Sequence, residues 1–281
     1  MKSNVFVLVI LFIVALFAFY NVGGIFPEKL NTTGSQGGSY VMVTPVPGSS
    51  SQSLQLNFVK FKGCSSTTAV DFLVDRSGSM EGQKLTLLKQ GILSFASKLS
   101  DQSVFGLQTF ADPPNIVWKN DINPDLFSNV KSNITNVVCS LQANGATHTK
   151  DAFEQTKAVL ADTQKRFSER QLAFIFVSDG IPETGTRNNL CRLQGKTELC
   201  NSSCRCFDPA QDPTQIAEQI KAMGIKIYSI GYVDKNDDFA TNQLKGLMER
   251  VASSPDKAHM APNEAEVIKI LNDIGYEICS K

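Results

Sequence analysis

Three short stretches of this 281-residue chain carry oxygen donors of the kind that seat a hard cation. The first is Asp75-Arg76-Ser77-Gly78-Ser79, a carboxylate followed by two hydroxyls at a spacing of two, with Gly78 loosening the turn. The second is Ser178-Asp179-Gly180, and the third is Gly145-Ala146-Thr147-His148-Thr149. Ions such as Mg2+ and Ca2+ take six or more oxygens. If Asp75, Ser77, Ser79, Thr147 and Asp179 converge, two carboxylates and three neutral hydroxyls leave such an ion under-neutralised, with a position open to an outside oxygen. The competing explanation for Ser77 and Ser79 is that they cap the helix that follows them.

Convergence requires elements that deliver these loops to one edge. Residues 69–75 (AVDFLVD) and 172–178 (LAFIFVS) read as strands apolar on both faces, as central parallel strands must be. Between and after them, residues 81–100 place Leu85, Leu88, Ile92, Phe95 and Leu99 on one helical stripe. Strands are expected over 104–111, 115–118, 225–232 and 258–260, and helices over 150–161, 214–223, 243–252 and 264–278. This alternation implies an α/β fold, a doubly wound and mostly parallel sheet flanked by helices. Ligands of such folds bind beyond the carboxyl ends of the strands, where all three loops belong.

In these residues and their order the chain resembles the von Willebrand factor type A domain. The metal-ion-dependent adhesion site of that family reads Asp-x-Ser-x-Ser, then a Thr in a Gly-rich loop, then an Asp after a buried strand. Asp75, Ser77, Ser79, Thr147 and Asp179 match the pattern, and the resemblance covers about residues 64–281. It implies that Ser77, Ser79 and Thr147 ligate directly or nearly so, while Asp75 and Asp179 act through waters or hydrogen bonds. It further implies Mg2+, with Mn2+ or Ca2+ as alternatives, and a protein or glycoprotein partner whose Asp or Glu carboxylate completes the coordination. The implied role is an adhesion-type binding module, or else a structural subunit of a cell-envelope, pilus or secretion assembly. Where the family moves quickly to its next helix after Asp179, this chain carries a Cys-rich insertion at about residues 181–212.

That insertion holds Cys191, Cys200, Cys204 and Cys206. Their spacing lacks the paired Cys-x2–4-Cys of a zinc knuckle and has no His nearby, so disulfides are expected, with connectivity open. Cys64 and Cys279 flank the domain, and the fold implied by the resemblance brings the chain ends together, making Cys64–Cys279 the best single pairing. Cys139 is left as a buried free thiol or a staple to the insertion.

An enzyme is not expected. A phosphohydrolase using Asp75 as nucleophile needs an acid two residues on, where Ser77 stands, and no Walker loop or Gly-x-Ser-x-Gly elbow occurs. The cytoplasmic metal-chelatase type of partner subunit conflicts with the cysteines and with the amino-terminal segment. His148 reads as a rim residue beside Thr147, and Arg76 as a solvated arginine.

Residues 3–27 carry no charge, and Val5–Tyr20 is unbroken apolar sequence. Residues 1–27 are therefore expected to be a transmembrane signal anchor, or a cleaved signal peptide if the protein is secreted. Residues 28–60 are expected to form a flexible stalk, since 15 of the 23 residues in 31–53 are Gly, Ser, Thr or Pro. Residues 61–281 form the domain, placed outside the cytoplasm on the membrane surface by the anchor and suited to an oxidising compartment by its cysteines. The chain has 27 basic and 27 acidic residues, which removes the electrostatic case for nucleic-acid binding. Only Lys2, Glu28 and Lys29 of these charges lie in the first 59 residues.

Overall fold

The computed structural model describes residues 40–43, 56–59, 64, 67–111, 117–183 and 199–279. Its contacts divide the chain into two units, Met1–Val59 and Lys60–Lys281. In the first, Tyr40–Val43 (β1) pairs antiparallel with Leu56–Val59 (β2), Tyr40 opposite Val59. A flexible stalk was expected over residues 28–60, which apart from these two segments lie outside the described residues. The two segments, YVMV and LNFV, hold the β-branched and aromatic residues that strands favour. The expected anchor lies outside the described residues. Among those that are described, no helix is long and apolar enough to cross a membrane.

The second unit is built on a six-stranded sheet. Its members are Thr68–Asp75 (β3), Val104–Phe110 (β4), Trp118–Leu126 (β5), Gln171–Ser178 (β6), Lys226–Tyr232 (β7) and Ala258–Ala261 (β8), in the order β5-β4-β3-β6-β7-β8. All neighbours are parallel except β4 and β5. Every residue of β3 and β4 is buried, as central strands covered on both faces must be. The edge strand β5 shares only Trp118 with the expected 115–118 and continues to Leu126, because its sequence WKNDINPDL has no apolar run to reveal it. Pro124 is tolerated there, since β5 is an edge whose pairing with β4 is irregular.

Helices cover both faces. Gln83–Ala96 (α1), Phe127–Ser140 (α2) and Glu266–Cys279 (α6) pack on one side against Val70, Phe72 and Val74 of β3. Thr149–Arg166 (α3), Thr214–Ala222 (α4) and Asp238–Val251 (α5) pack on the other against Ala69 and Leu73. The alternation of β3 side chains thus decides which helices each face receives. Phe72 meets Phe95 of α1 edge-on at 5.3 Å, and Phe153 of α3 meets Phe176 of β6 at 4.9 Å. Such fully buried side chains contribute roughly 1.5–3 kcal/mol each through burial.

Helix α2 was not expected from the sequence. It does carry a stripe of Phe127, Val130, Ile134 and Val138, but Ser, Asn and Thr at seven of its positions are weak helix formers that blur the signal. The start of α1 lies two residues later than expected, because Gly78–Met80 forms a 3-10 turn and Gly82 takes φ +86°, a backbone state open mainly to glycine. The Cys64–Cys279 disulfide ties the chain just before β3 to the end of α6, in agreement with the pairing the resemblance implied. Cys200 pairs with Cys206, and Cys204 is also disulfide-bonded. Cys139 is free and exposed. It is neither the buried thiol nor the staple expected, because it lies in the last turn of α2, whose core side is already filled by Ile134 and Val138.

Candidate metal centre

Two of the oxygen-bearing loops leave the carboxyl ends of β3 and β6, the third joins α2 to α3, and backbone hydrogen bonds zip them together. From the β3 loop, Gly78 N–H donates to Gly145 O at 2.9 Å, and Asn144 N–H donates back to Arg76 O at 2.7 Å. From the loop after β6, Glu183 N–H donates to Thr147 O at 3.0 Å. The position of each side chain therefore depends on a neighbouring loop and not on its own alone.

Asp75, Ser77, Ser79 and Asp179 meet in one hydrogen-bonded cluster. Asp75 Oδ1 accepts from Ser77 N–H at 2.7 Å, a local bond that turns the chain at the strand end. Its other oxygen, Oδ2, accepts from Ser178 Oγ at 2.5 Å. Ser77 Oγ and Ser79 Oγ are 3.1 Å apart, and Ser79 Oγ donates to Asp179 Oδ1 at 2.7 Å. Thr147 joins from the side: a Cβ built on Gly180 would stand 2.9 Å from Thr147 Oγ1, so the hydroxyl lies against the backbone that follows Asp179. Neither Ser77 nor Ser79 makes a capping bond to a helix amide in this arrangement, which removes the capping explanation for them.

The electrostatics are those of two carboxylates taken out of water together. Asp75, Ser77, Thr147 and Asp179 are all buried. Burial and then the facing charge of Asp179 push the Asp75 carboxyl above the ordinary range. The described residues hold no group of three or more His, Cys, Asp or Glu side chains that could bind a metal. A cation at this site would therefore depend on hydroxyl oxygens and two carboxylates. The donor set fits a hard dication: its oxygens already converge, and its buried negative charge lacks a full complement. The residues that could hold the ion are Asp75, Ser77, Ser79, Thr147 and Asp179.

Residues 70–273 match the family model described as von Willebrand factor type A domain. The chain belongs to this family. A curated relative, inter-alpha-trypsin inhibitor heavy chain H4 of Bos taurus, is 28% identical over 174 residues, covering 59% of this chain and 19% of the relative. The chain therefore spans about a fifth of that relative's length. Among solved structures, the pilus adhesin SpaC of Lactobacillus rhamnosus GG superposes with a TM-score of 0.59 at 20% identity, covering 75% of this chain and 30% of that one. Proximal thread matrix protein 1 from the mussel byssus, in a structure with a zinc-occupied adhesion-site motif, gives 0.53 at 17% identity, covering 75% and 46%. At these identities the structural likenesses show the fold alone.

Two residues of this type A domain that were not singled out from the sequence belong to the cluster. Ser178, the last residue of β6, holds the second oxygen of Asp75 and also accepts from Gly180 N–H at 3.2 Å. Lys84 places its ammonium 2.5 Å from Asp179 Oδ2. Its one sequence signal is a cation in the first turn of a helix, where the macrodipole disfavours positive charge. His148 sits 3.5 Å from Asp151, beside the cluster and outside it. The insertion is fastened to the next loop along the sheet edge: Asn201 donates to Asp237 at 3.1 Å, and Arg205 pairs with Asp234 at 3.1 Å. A cleft of about 250 Å³, lined by Lys84, Tyr232, Asp234, Asn263 and Glu264 among others, opens next to Lys84.

Proposed function

We propose that this type A domain is a metal-dependent, adhesion-type module that binds a carboxylate of a protein or glycoprotein partner, with Mg2+ as the ion and Mn2+ or Ca2+ as alternatives. The observation that carries this reading is the burial of Asp75 and Asp179 beside three hydroxyl residues at one sheet edge, with each carboxylate oxygen fixed by a donor. A bound dication would supply a Lewis-acid seat for the partner's oxygen. Ser77, Ser79 and Thr147 offer it neutral oxygens. Ser178 keeps Asp75 aimed, and Asp179 orients the Ser79 hydroxyl. Because these side chains are set by backbone bonds between loops, the site needs little rearrangement to accept an ion. The insertion clamped by Arg205 and the cleft beside Lys84 flank the position and would meet the residues on either side of the partner's carboxylate.

The module is read as non-enzymatic, since Ser77 occupies the place where a second acid would have to act. A second reading, a structural subunit of a pilus, secretion or envelope assembly, is favoured by the fold shared with a pilus adhesin. Anchoring by residues 1–27 and display outside the cytoplasm form part of the same proposal, supported by the uncharged amino-terminal segment and by disulfides that persist in oxidising compartments. A screen of envelope and host surface proteins against the full chain, with and without EDTA, tests the function. Partners should be lost on chelation and in Asp75→Ala, and a partner retained in both would overturn the metal-dependent reading.

A further inference from the structure

We infer that Lys84 is a built-in counter-charge of this site, which weakens its hold on the metal and strengthens its hold on the partner's carboxylate. The inference rests on the metal reading of the cluster and concerns a residue outside its donor set.

Lys84 reaches across the Asp-x-Ser-x-Ser turn. Its Nζ lies 2.5 Å from Asp179 Oδ2 and 3.3 Å from Ser79 O, while Asp179 Oδ1 is held by Ser79 Oγ. The Asp179 side chain is fully buried and that of Lys84 is 24% exposed, so the pair is only partly screened. The backbone carrying Lys84 is fixed from below by the largely buried Tyr232, whose hydroxyl donates to Lys84 O at 3.2 Å. Lys84 occupies the first turn of α1, where a cation opposes the macrodipole by roughly 0.3–1 kcal/mol. Its compensation is Asp179 alone among the carboxylates of the described residues.

The consequence is a charge count. Asp75 and Asp179 contribute −2 when ionised, and Lys84 brings the cluster to −1. With a dication the total is +1, against zero if residue 84 were neutral. An ammonium this close repels an incoming dication, yet once the site is filled it leaves a net positive centre for an anionic partner. Removing the charge should therefore move the two affinities in opposite directions, whereas a residue that merely positions Asp179 would weaken both when removed.

The test uses the full chain, Mn2+ alone, and Mn2+ with acetate as the carboxylate probe. Free Mn2+ is read by electron paramagnetic resonance in the wild type, Lys84→Gln and Lys84→Arg. Lys84→Gln is expected to bind Mn2+ on the order of three- to tenfold more tightly, a change of the size expected for a partly screened charge. The tightening of Mn2+ binding by acetate is expected to shrink in the same variant. Lys84→Arg keeps the charge and is expected to stay within about twofold of the wild type, which also controls for folding. Unchanged or weaker Mn2+ binding in Lys84→Gln, or tightening in Lys84→Arg equal to that in Lys84→Gln, would overturn the inference while leaving the metal site intact. A wild type that binds no Mn2+ would instead remove the metal reading itself, and this inference with it.

Discussion

Asp71 stands in the middle of β3, fully buried, with no hydrogen bond of good geometry to either oxygen and only weak help from the Gln108 side chain and the Phe72 amide. Gln108 Oε1 is a further buried acceptor without a donor. Burial outweighs that help and pushes the Asp71 carboxyl from 3.8 up to about 8. Below pH 4 both the folded and the unfolded chain carry the proton, and the group has no effect on stability. Between pH 4 and 8 only the unfolded chain ionises, so stability falls as pH rises; above pH 8 both states are ionised and the effect levels off. From the two values the loss is about 2 kcal/mol at pH 5 and about 5 kcal/mol at pH 8. Asp71→Asn is neutral throughout and nearly the same size as the acid. Urea unfolding of the full chain with its disulfides intact, at pH 5 and pH 8, should show the advantage of Asp71→Asn over the wild type growing by about 3–4 kcal/mol. Taking the difference between proteins cancels the other titrating groups, Asp75 included, which is about 13 Å along the same strand. An advantage that is the same at both pH values would mean that Asp71 folds as the anion, and would refute the reasoning.

Other perturbations test the positioning of the site and the frame around it. Gly180→Ala should push a methyl to within 2.9 Å of Thr147 Oγ1, and so weaken Mn2+ binding about tenfold or more while circular dichroism stays unchanged. Wild-type affinity in that variant would remove Thr147 from the donor set. Replacing both Cys64 and Cys279 with Ser opens a bridge between residues 215 apart; the chain-entropy relation gives a loss of about 5 kcal/mol, read by urea unfolding, and an unchanged midpoint would show that the bridge constrains nothing. Thiol counting on the denatured, unreduced protein should find one free thiol, Cys139, whereas seven would contradict export to an oxidising compartment.

The sheet was legible wherever burial imposes an apolar pattern. Strands β3 and β6 are covered on both faces, and their runs AVDFLVD and LAFIFVS could be little else. Strand β5 has one partner and one open edge, so its sequence is free to be polar, and α2 presents one narrow stripe among weak helix formers. Asp71 was hidden inside the run that identified β3, because a strand pattern counts a buried acid as an interruption and not as a signal. At the site, the five oxygen-bearing residues could be read from spacing within each loop. Ser178 and Lys84 could not, since their partners lie 103 and 95 residues away in the chain and are brought to them only by the parallel sheet and the first turn of α1. The clamp of Arg205 on Asp234 and Asp237 belongs to the same class: an ion pair between loops that only the strand order makes adjacent.

The central claim is that Asp75, Ser77, Ser79, Thr147 and Asp179 hold a divalent cation. Titrating Mg2+ into the chelator-treated full chain by calorimetry, beside Asp75→Ala and Asp179→Ala, tests it most directly. A single site in the wild type, abolished in both variants and accompanied by a rise in melting temperature only in the wild type, is the predicted result. Equal heats in all three proteins, or no binding by the wild type, would contradict it.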